Sequence, residues 1–215
     1  MKVIRNIFDV ISELKDKPRT GWVDHKIPSP ETVWQHSVSM RSVSRELASR
    51  YLGQAQVTHC GKLGAVHDVI ESIVPDITPS MGISPEQKRE LEVIAINHIG
   101  TFSAGGKKIK ALWFEFDDGA TEAARFVKKV DKLHVVYLAL KYEQTGICPF
   151  SLQPFWDYSR KHIEGTPLVE EWEHLFAQRP LKANDKPTLE RRPQPPGTFD
   201  LMKRQVLCKI GANPT

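Results

Sequence analysis

Gly64-Ala65-Val66-His67-Asp68-Val69-Ile70-Glu71-Ser72-Ile73-Val74-Pro75-Asp76 is the stretch that decides the fold. It reads as the end of an apolar helix carrying a histidine and two carboxylates, with a third acid just past a proline. Helical residues three and four apart share a face, so His67 and Glu71 are expected one turn apart with Asp68 beside them. Leu63 and Ile70 flank His67 on the same face, which puts the imidazole at the border of the buried stripe. A neighbouring His-Asp pair offers one nitrogen and one carboxylate oxygen, a set that suits several first-row divalent ions. Alone, such a dipeptide is more often structural than metal-binding.

Working outward, the spacing predicts this helix over roughly 56–74. An earlier helix is expected from Pro28-Ser29-Pro30-Glu31-Thr32, with Ser29 as the cap and Pro30 in the first turn. It lines up Val33, Met40, Val43 and Leu47, and His36 falls on that stripe. The longest and most regular pattern runs over 120–143, with Phe126, Val127, Val130, Leu133, Val136 and Leu140 buried. Asp131 sits beside this stripe. A buried carboxylate is costly unless it is paired, so it calls for a lysine partner or a metal ion.

The remaining chain adds more helices. Val3, Ile4, Ile7, Phe8, Ile11 and Leu14 predict a first amphipathic helix ending before Pro18. Lys17-Pro18-Arg19-Thr20-Gly21-Trp22 reads as a loop presenting an arginine and a tryptophan. Ser84-Pro85-Glu86-Gln87 is a capping signature for a helix towards Gly100, and His98 reads as a helix-terminus histidine. Gly100 to Gly106 lacks the lysine and hydroxyl pattern of a phosphate loop and reads as a plain connection. Helices are further expected over 107–118, 151–163 and 167–177. Strand-like alternation is almost absent, so the class is all-α. Past Arg179 the prolines Pro180, Pro187, Pro193, Pro195 and Pro196 mark a Pro-rich extension, with an apolar patch over 199–210 that could dock as a helix or bind a partner. The expected division is a domain over 1–178 and an extension over 179–215.

Composition narrows the class. At 215 residues, 40% hydrophobic and 26% charged, the chain is long enough for one well-packed domain. Its net charge of +4 is mild, and Lys and Arg look scattered with no aromatic interleaving, so no nucleic acid is expected as partner. Cys60, Cys148 and Cys208 are odd in number and far apart, which fits a reducing, cytoplasmic setting rather than a disulfide framework. Neither a secretory signal nor an apolar run of membrane-spanning length is found.

His36, His67 with Asp68, and Asp131 lie on three separate helices, each at or beside an inward face. Inward polar sites are expensive in a helical core unless they converge, and a shared divalent cation is a natural point of convergence. This order resembles the HD-domain metal phosphohydrolases. A closer resemblance is to the HD-domain 5'-deoxynucleotidases, carried by Lys15 to Val23, Pro30 to Ser37, His67-Asp68 through Pro75-Asp76-Ile77-Thr78-Pro79, Leu112-Trp113, Glu122 to Leu133, and Leu152 to Asp157.

That resemblance covers about residues 3–178. It implies a helical HD-domain bundle, usually dimeric, which removes the 5'-phosphate from deoxynucleoside monophosphates. It implies one divalent ion (Co, Mn, Mg or Zn) held by His36, His67, Asp68 and Asp131. Glu71 would move the proton of the catalytic water or leaving group. Asp76 would contact the sugar at the catalytic centre, Arg19 would grip the phosphate, and Trp22 would form part of the substrate wall. Gln35, Val69-Ile70 and His134 depart from the family's usual residues, and the departures fall on groups around the ligands. With His98 the only histidine between Asp68 and Asp131, one metal is favoured over two. Alternatives are a deoxynucleoside triphosphate hydrolase or cyclic nucleotide phosphodiesterase of the same fold, a two-metal HD oxygenase, a non-catalytic nucleotide sensor, or polar residues that only pair with one another.

Overall fold

Asn6, Thr32, Ser84, Ser103 and Thr121 each accept a backbone N–H from the first turn of the helix that follows, and these caps set where those helices begin. The computed structural model describes residues 2–75, 77, 81–181, 183–190, 195 and 197–212. The described residues form α1 (Ile7–Asp16), α2 (Thr20–Asp24), α3 (Val33–Tyr51), α4 (Gln54–Val66), α5 (Pro85–Gly100), α6 (Ala104–Asp118), α7 (Glu122–Thr145), α8 (Gln153–Ile163), α9 (Val169–Phe176) and α10 (Thr198–Lys209). A 3-10 turn, Val69–Ser72, follows α4. No strand occurs among the described residues; Pro18 and Thr32 form an isolated bridge. The all-α class is as expected.

Two apolar cores meet inside the bundle. One gathers Met40, Leu63, Val127, Val130, Leu140 and Trp156 from α3, α4, α7 and α8. The other gathers Ile4, Leu14, Ile73, Leu91, Ile96, Trp113 and Val206. On α3, His36 lies between Val33 of the second core and Met40 of the first; His67 lies likewise between Leu63 and Ile70. His36 and His67 thus sit along the seam between the cores. The α7 stripe is buried as its period predicts, and Gly146, at φ 70°, closes the helix in the left-handed region.

Several boundaries differ from the expectations. The first helix begins at Ile7; Ile4 is buried ahead of it, Val10 joins Leu14 on the inner face, and Phe8 is 78% exposed. The cap before α3 is Thr32, in a capping box with Gln35, while Ser29 is in the left-handed region at φ 50°. Residues 104–106 belong to α6, because Ser103 caps that helix. The loop at 17–22 contains the start of the short helix α2.

The largest correction is at the deciding stretch. The helix expected to continue through Val74 stops at Val66, and His67 is its C-cap. β-Branched Val66, Val69, Ile70, Ile73 and Val74 lower helix propensity here, and Pro75 follows. The 3-10 turn also allows Val69, Ile70, Ile73 and Val74 all to be buried, which a single helical face does not. The 199–210 patch docks back: α10 contributes Met202 and Val206 to the second core. Where the extension begins, Arg179 pairs with Glu143 at 2.7 Å, with both side chains almost wholly buried.

Candidate active site

Close packing of α3 on α4 brings His36 and His67 together. Gly64 permits it: a Cβ there would stand 2.7 Å from both the Met40 carbonyl and Ser44 Oγ. Three residues on, His67 Nε2 lies 3.1 Å from His36 Nε2 and 3.1 Å from Asp68 Oδ2. Asp131, from α7, brings Oδ1 to 3.2 Å from His36 Nε2 and 3.8 Å from His67 Nε2. Asp68 Oδ2 is 3.6 Å from His36 Nε2. The structure therefore brings His36, His67, Asp68 and Asp131 to one point.

The donor chemistry fits a divalent cation. His67 Nδ1 is 2.9 Å from the Gly64 carbonyl, which can only accept, so Nδ1 carries the proton. In a neutral ring Nε2 is then a bare lone pair aimed into the cluster. Asp131 divides its oxygens: Oδ2 accepts from Lys132 Nζ at 2.7 Å, whereas Oδ1 is buried and lacks a hydrogen-bond partner. Two facing imidazole nitrogens and an orphaned carboxylate oxygen are what a shared metal ion satisfies. Charge agrees. Burial opposes ionisation of Asp68, but His67, His36 and Arg19 outweigh it and hold its pKa below the usual carboxylate range. Burial likewise opposes charge on His67, yet Asp68 and Asp131 raise its pKa above the ordinary value, so the same carboxylates that favour a proton on Nε2 would favour a cation in its place.

Two residues stand behind His36: His134, singled out in the sequence as a departure near the ligands, and Glu31, whose part here the sequence did not reveal. His36 Nδ1 is 3.2 Å from His134 Nδ1 and 3.5 Å from Glu31 Oε2, leaving Nε2 for the cluster. Burial, with His36 beside it, pushes His134 down to about 3, so it is a neutral partner. His134 lies three residues after Asp131 on α7, and that helical spacing was the available signal.

The cluster opens into a cavity of about 540 Å³, a volume within the range of small-molecule sites. His67, Asp68, Glu71 and Asp131 line one part; Lys88, Arg125, Lys128, Lys129 and Lys132 supply cations. Four of these cations fall on α7 at spacings of three and four, a stripe hidden in a sequence whose basic residues look scattered. Burial, then Lys132, lowers the pKa of Lys128, as expected of a cation crowded by another. Tyr158 and His162 from α8 also line this space.

The other expected residues divide. Glu71 lines the cavity from the 3-10 turn, with its Oε2 4.0 Å from Lys17 Nζ. Arg19 Nη1 reaches to 3.8 Å from Asp68 Oδ2. Trp22 is a core residue: it is 2% exposed, its ring centroid lies 5.1 Å from that of Tyr142 and 4.6 Å from that of Phe155, and it does not line the cavity. Asp76 lies outside the described residues.

Comparison with known proteins adds to this geometry. The sequence profile of the HD domain matches residues 11–170, a span that contains all four converging donors. The chain is 33% identical to 5'-deoxynucleotidase hdd1 of Schizosaccharomyces pombe over 77% of its own length and 84% of that protein. It is 32% identical to human 5'-deoxynucleotidase HDDC2 over 79% of its length and 83% of that protein. The Xenopus laevis HDDC2 protein is 29% identical, covering 83% of this chain and 88% of that one. Among solved structures, a conserved hypothetical protein from Pyrococcus furiosus shares the fold, with a TM-score of 0.66 at 23% identity over 80% of this chain and 98% of that one. A shared fold, a matched sequence span and donors in place lead to one conclusion: the chain belongs to the HD-domain family.

Proposed function

We propose that this protein is a metal-dependent 5'-deoxynucleotidase that hydrolyses deoxyribonucleoside 5'-monophosphates to the deoxynucleoside and phosphate. The observation that carries this reading is the convergence of His36, His67, Asp68 and Asp131 at the wall of a cation-lined cavity. Its similarity to curated 5'-deoxynucleotidases over most of the chain supports the substrate class.

His36, His67, Asp68 and Asp131 would hold one divalent ion, of cobalt, manganese, magnesium or zinc. When bound, that ion polarises a phosphoryl oxygen and lowers the pKa of water. Arg19, beside Asp68, neutralises phosphate charge with a guanidinium fork, and Lys128 with Lys129 adds to it from α7. Glu71 accepts the proton of the attacking water as its oxygen bonds to phosphorus. As the P–O5' bond breaks, the same carboxyl returns that proton to O5'. Asp76 is kept as the sugar contact on the strength of the family resemblance alone. Trp22 lies in the core behind this wall, where its backbone N–H donates to the Arg19 carbonyl at 3.1 Å, and the wall itself is left to residues that line the space.

The free thiols of Cys60, Cys148 and Cys208 support a cytoplasmic setting, and no helix among the described residues is long and apolar enough to cross a membrane. A homodimer, as the resemblance implies, belongs to the same reading and is testable by sedimentation.

The functional test is phosphate release after metal stripping and re-addition, across deoxynucleoside monophosphates, ribonucleoside monophosphates, deoxynucleoside triphosphates and cyclic nucleotides. Metal-dependent turnover confined to deoxy-monophosphates is expected. Turnover of triphosphates or cyclic substrates instead would overturn the substrate assignment, and a silent panel with metal bound would favour a sensor.

A further inference from the structure

Glu71 sits on a four-residue 3-10 turn, and so short an element has little rigidity of its own. The carbonyls that leave this turn are held by ammonium groups. Lys17 Nζ donates to the Glu71 and Val74 carbonyls, each at 2.8 Å. Lys209 Nζ donates to the Ser72 carbonyl at 2.8 Å and to Glu13 Oε2 of α1, also at 2.8 Å. Lys209 is the last residue of α10, and its own carbonyl accepts from Ile4 N at 2.8 Å. One residue therefore ties α10 to the N-terminal segment, to α1 and to the Glu71 turn. The apolar contacts run the same way, since Met202 and Val206 share a core with Val69, Ile70, Ile73 and Val74. All of α10 lies beyond residue 170, where the HD-domain match ends.

We propose that Lys209, carried by the C-terminal helix, is a positioning residue: it holds the Glu71 turn in place against the metal-donor cluster, so a segment outside the matched HD domain sets turnover. This rests on the proton-transfer role given to Glu71. A charged donor on a carbonyl is among the stronger hydrogen bonds, and the Glu13 carboxylate aims it. Without that tie the turn opens more often, and a catalytic carboxylate displaced by about 1 Å costs up to ~100-fold in rate.

The experiment compares the full chain with Lys209→Met, which keeps the stem and removes the charge, and Lys209→Arg, which restores a cation. Amide hydrogen exchange across 69–74, kcat, KM and cobalt affinity are read together. For Lys209→Met, exchange in this segment is expected to speed up and kcat to fall about tenfold, with KM and cobalt affinity unchanged. Lys209→Arg recovers most of both. Unchanged exchange overturns the proposal, and so does faster exchange with full kcat. If Lys209→Met does not fold, Glu13→Gln removes the aiming carboxylate and carries the same expectation at smaller size. Glu71→Gln is run in parallel. Full turnover in that variant would place the failure in the role of Glu71, while the exchange data still judge the tie.

Discussion

His36 and His67 face each other through their Nε2 atoms at 3.1 Å, and each ring has its other nitrogen committed elsewhere. His67 Nδ1 meets the Gly64 carbonyl, and His36 Nδ1 meets His134 and Glu31. Two imidazole nitrogens turned to one point beside two carboxylates could hold a cation, with the outer contacts fixing both rings. Removing the metal should therefore lower stability. Ligand at 100 times its Kd adds about 2.7 kcal/mol, which for a chain of this size corresponds to roughly 5–10 °C in Tm. Thermal melts before and after chelation, then with cobalt restored, check this. An unchanged Tm with no metal bound would count against the cluster as a metal site.

Glu71 lines the cavity but stands outside the converging donors, so its role separates from theirs. Glu71→Gln should lower kcat by about 10²–10⁴-fold, the usual worth of a positioned proton-transfer group. Metal content and Tm should stay as in the unmodified protein. A variant with full kcat would end the assignment.

The cation stripe on α7 should act on substrate binding. Arg125→Ala and Lys129→Ala remove charges from the cavity lining without touching the donors. Each is expected to raise KM by about 5–20-fold, as a charge-assisted hydrogen bond is worth roughly 1.5–3 kcal/mol before solvent screening reduces it. Added salt should narrow the gap to the unmodified protein. Steady-state kinetics at two ionic strengths decide it, and a fall in kcat alone would point to a different role.

Gly64→Ala tests the α3–α4 approach. The added methyl meets the Met40 carbonyl, which is backbone and cannot swing away. The cost should be about 1–3 kcal/mol, as for other overpacked sites, and cobalt affinity should weaken because His67 follows three residues later. Denaturant unfolding and a cobalt titration measure the two effects; a variant of unchanged stability would show that the helices part freely.

Much of this was legible in the sequence for physical reasons. The α7 stripe runs for many turns, so its period fixes a buried face that includes Asp131. Ser84 and Gln87 state the start of α5 through side-chain chemistry alone. His36, His67 and Asp131 stand out in the sequence because each sits on or beside an apolar stripe where a polar group needs a partner. The break after Val66 was not legible, because burying Val69, Ile70, Ile73 and Val74 together is a tertiary demand that overrides helical period. The packing of Trp22 is hidden in the sequence for a similar reason: whether an aromatic faces a cavity or a core depends on Tyr142 and Phe155, far away in sequence. The cations of α7 were overlooked because they alternate with the apolar stripe that the same helix buries.

The most direct test of the central claim is a cobalt titration of the stripped protein, with phosphate release from a deoxynucleoside monophosphate measured at each step. Activity should rise linearly and stop at one equivalent per chain, and His67→Ala should show no such break. Activity without metal, or a break at two equivalents, would contradict a single ion held by His36, His67, Asp68 and Asp131.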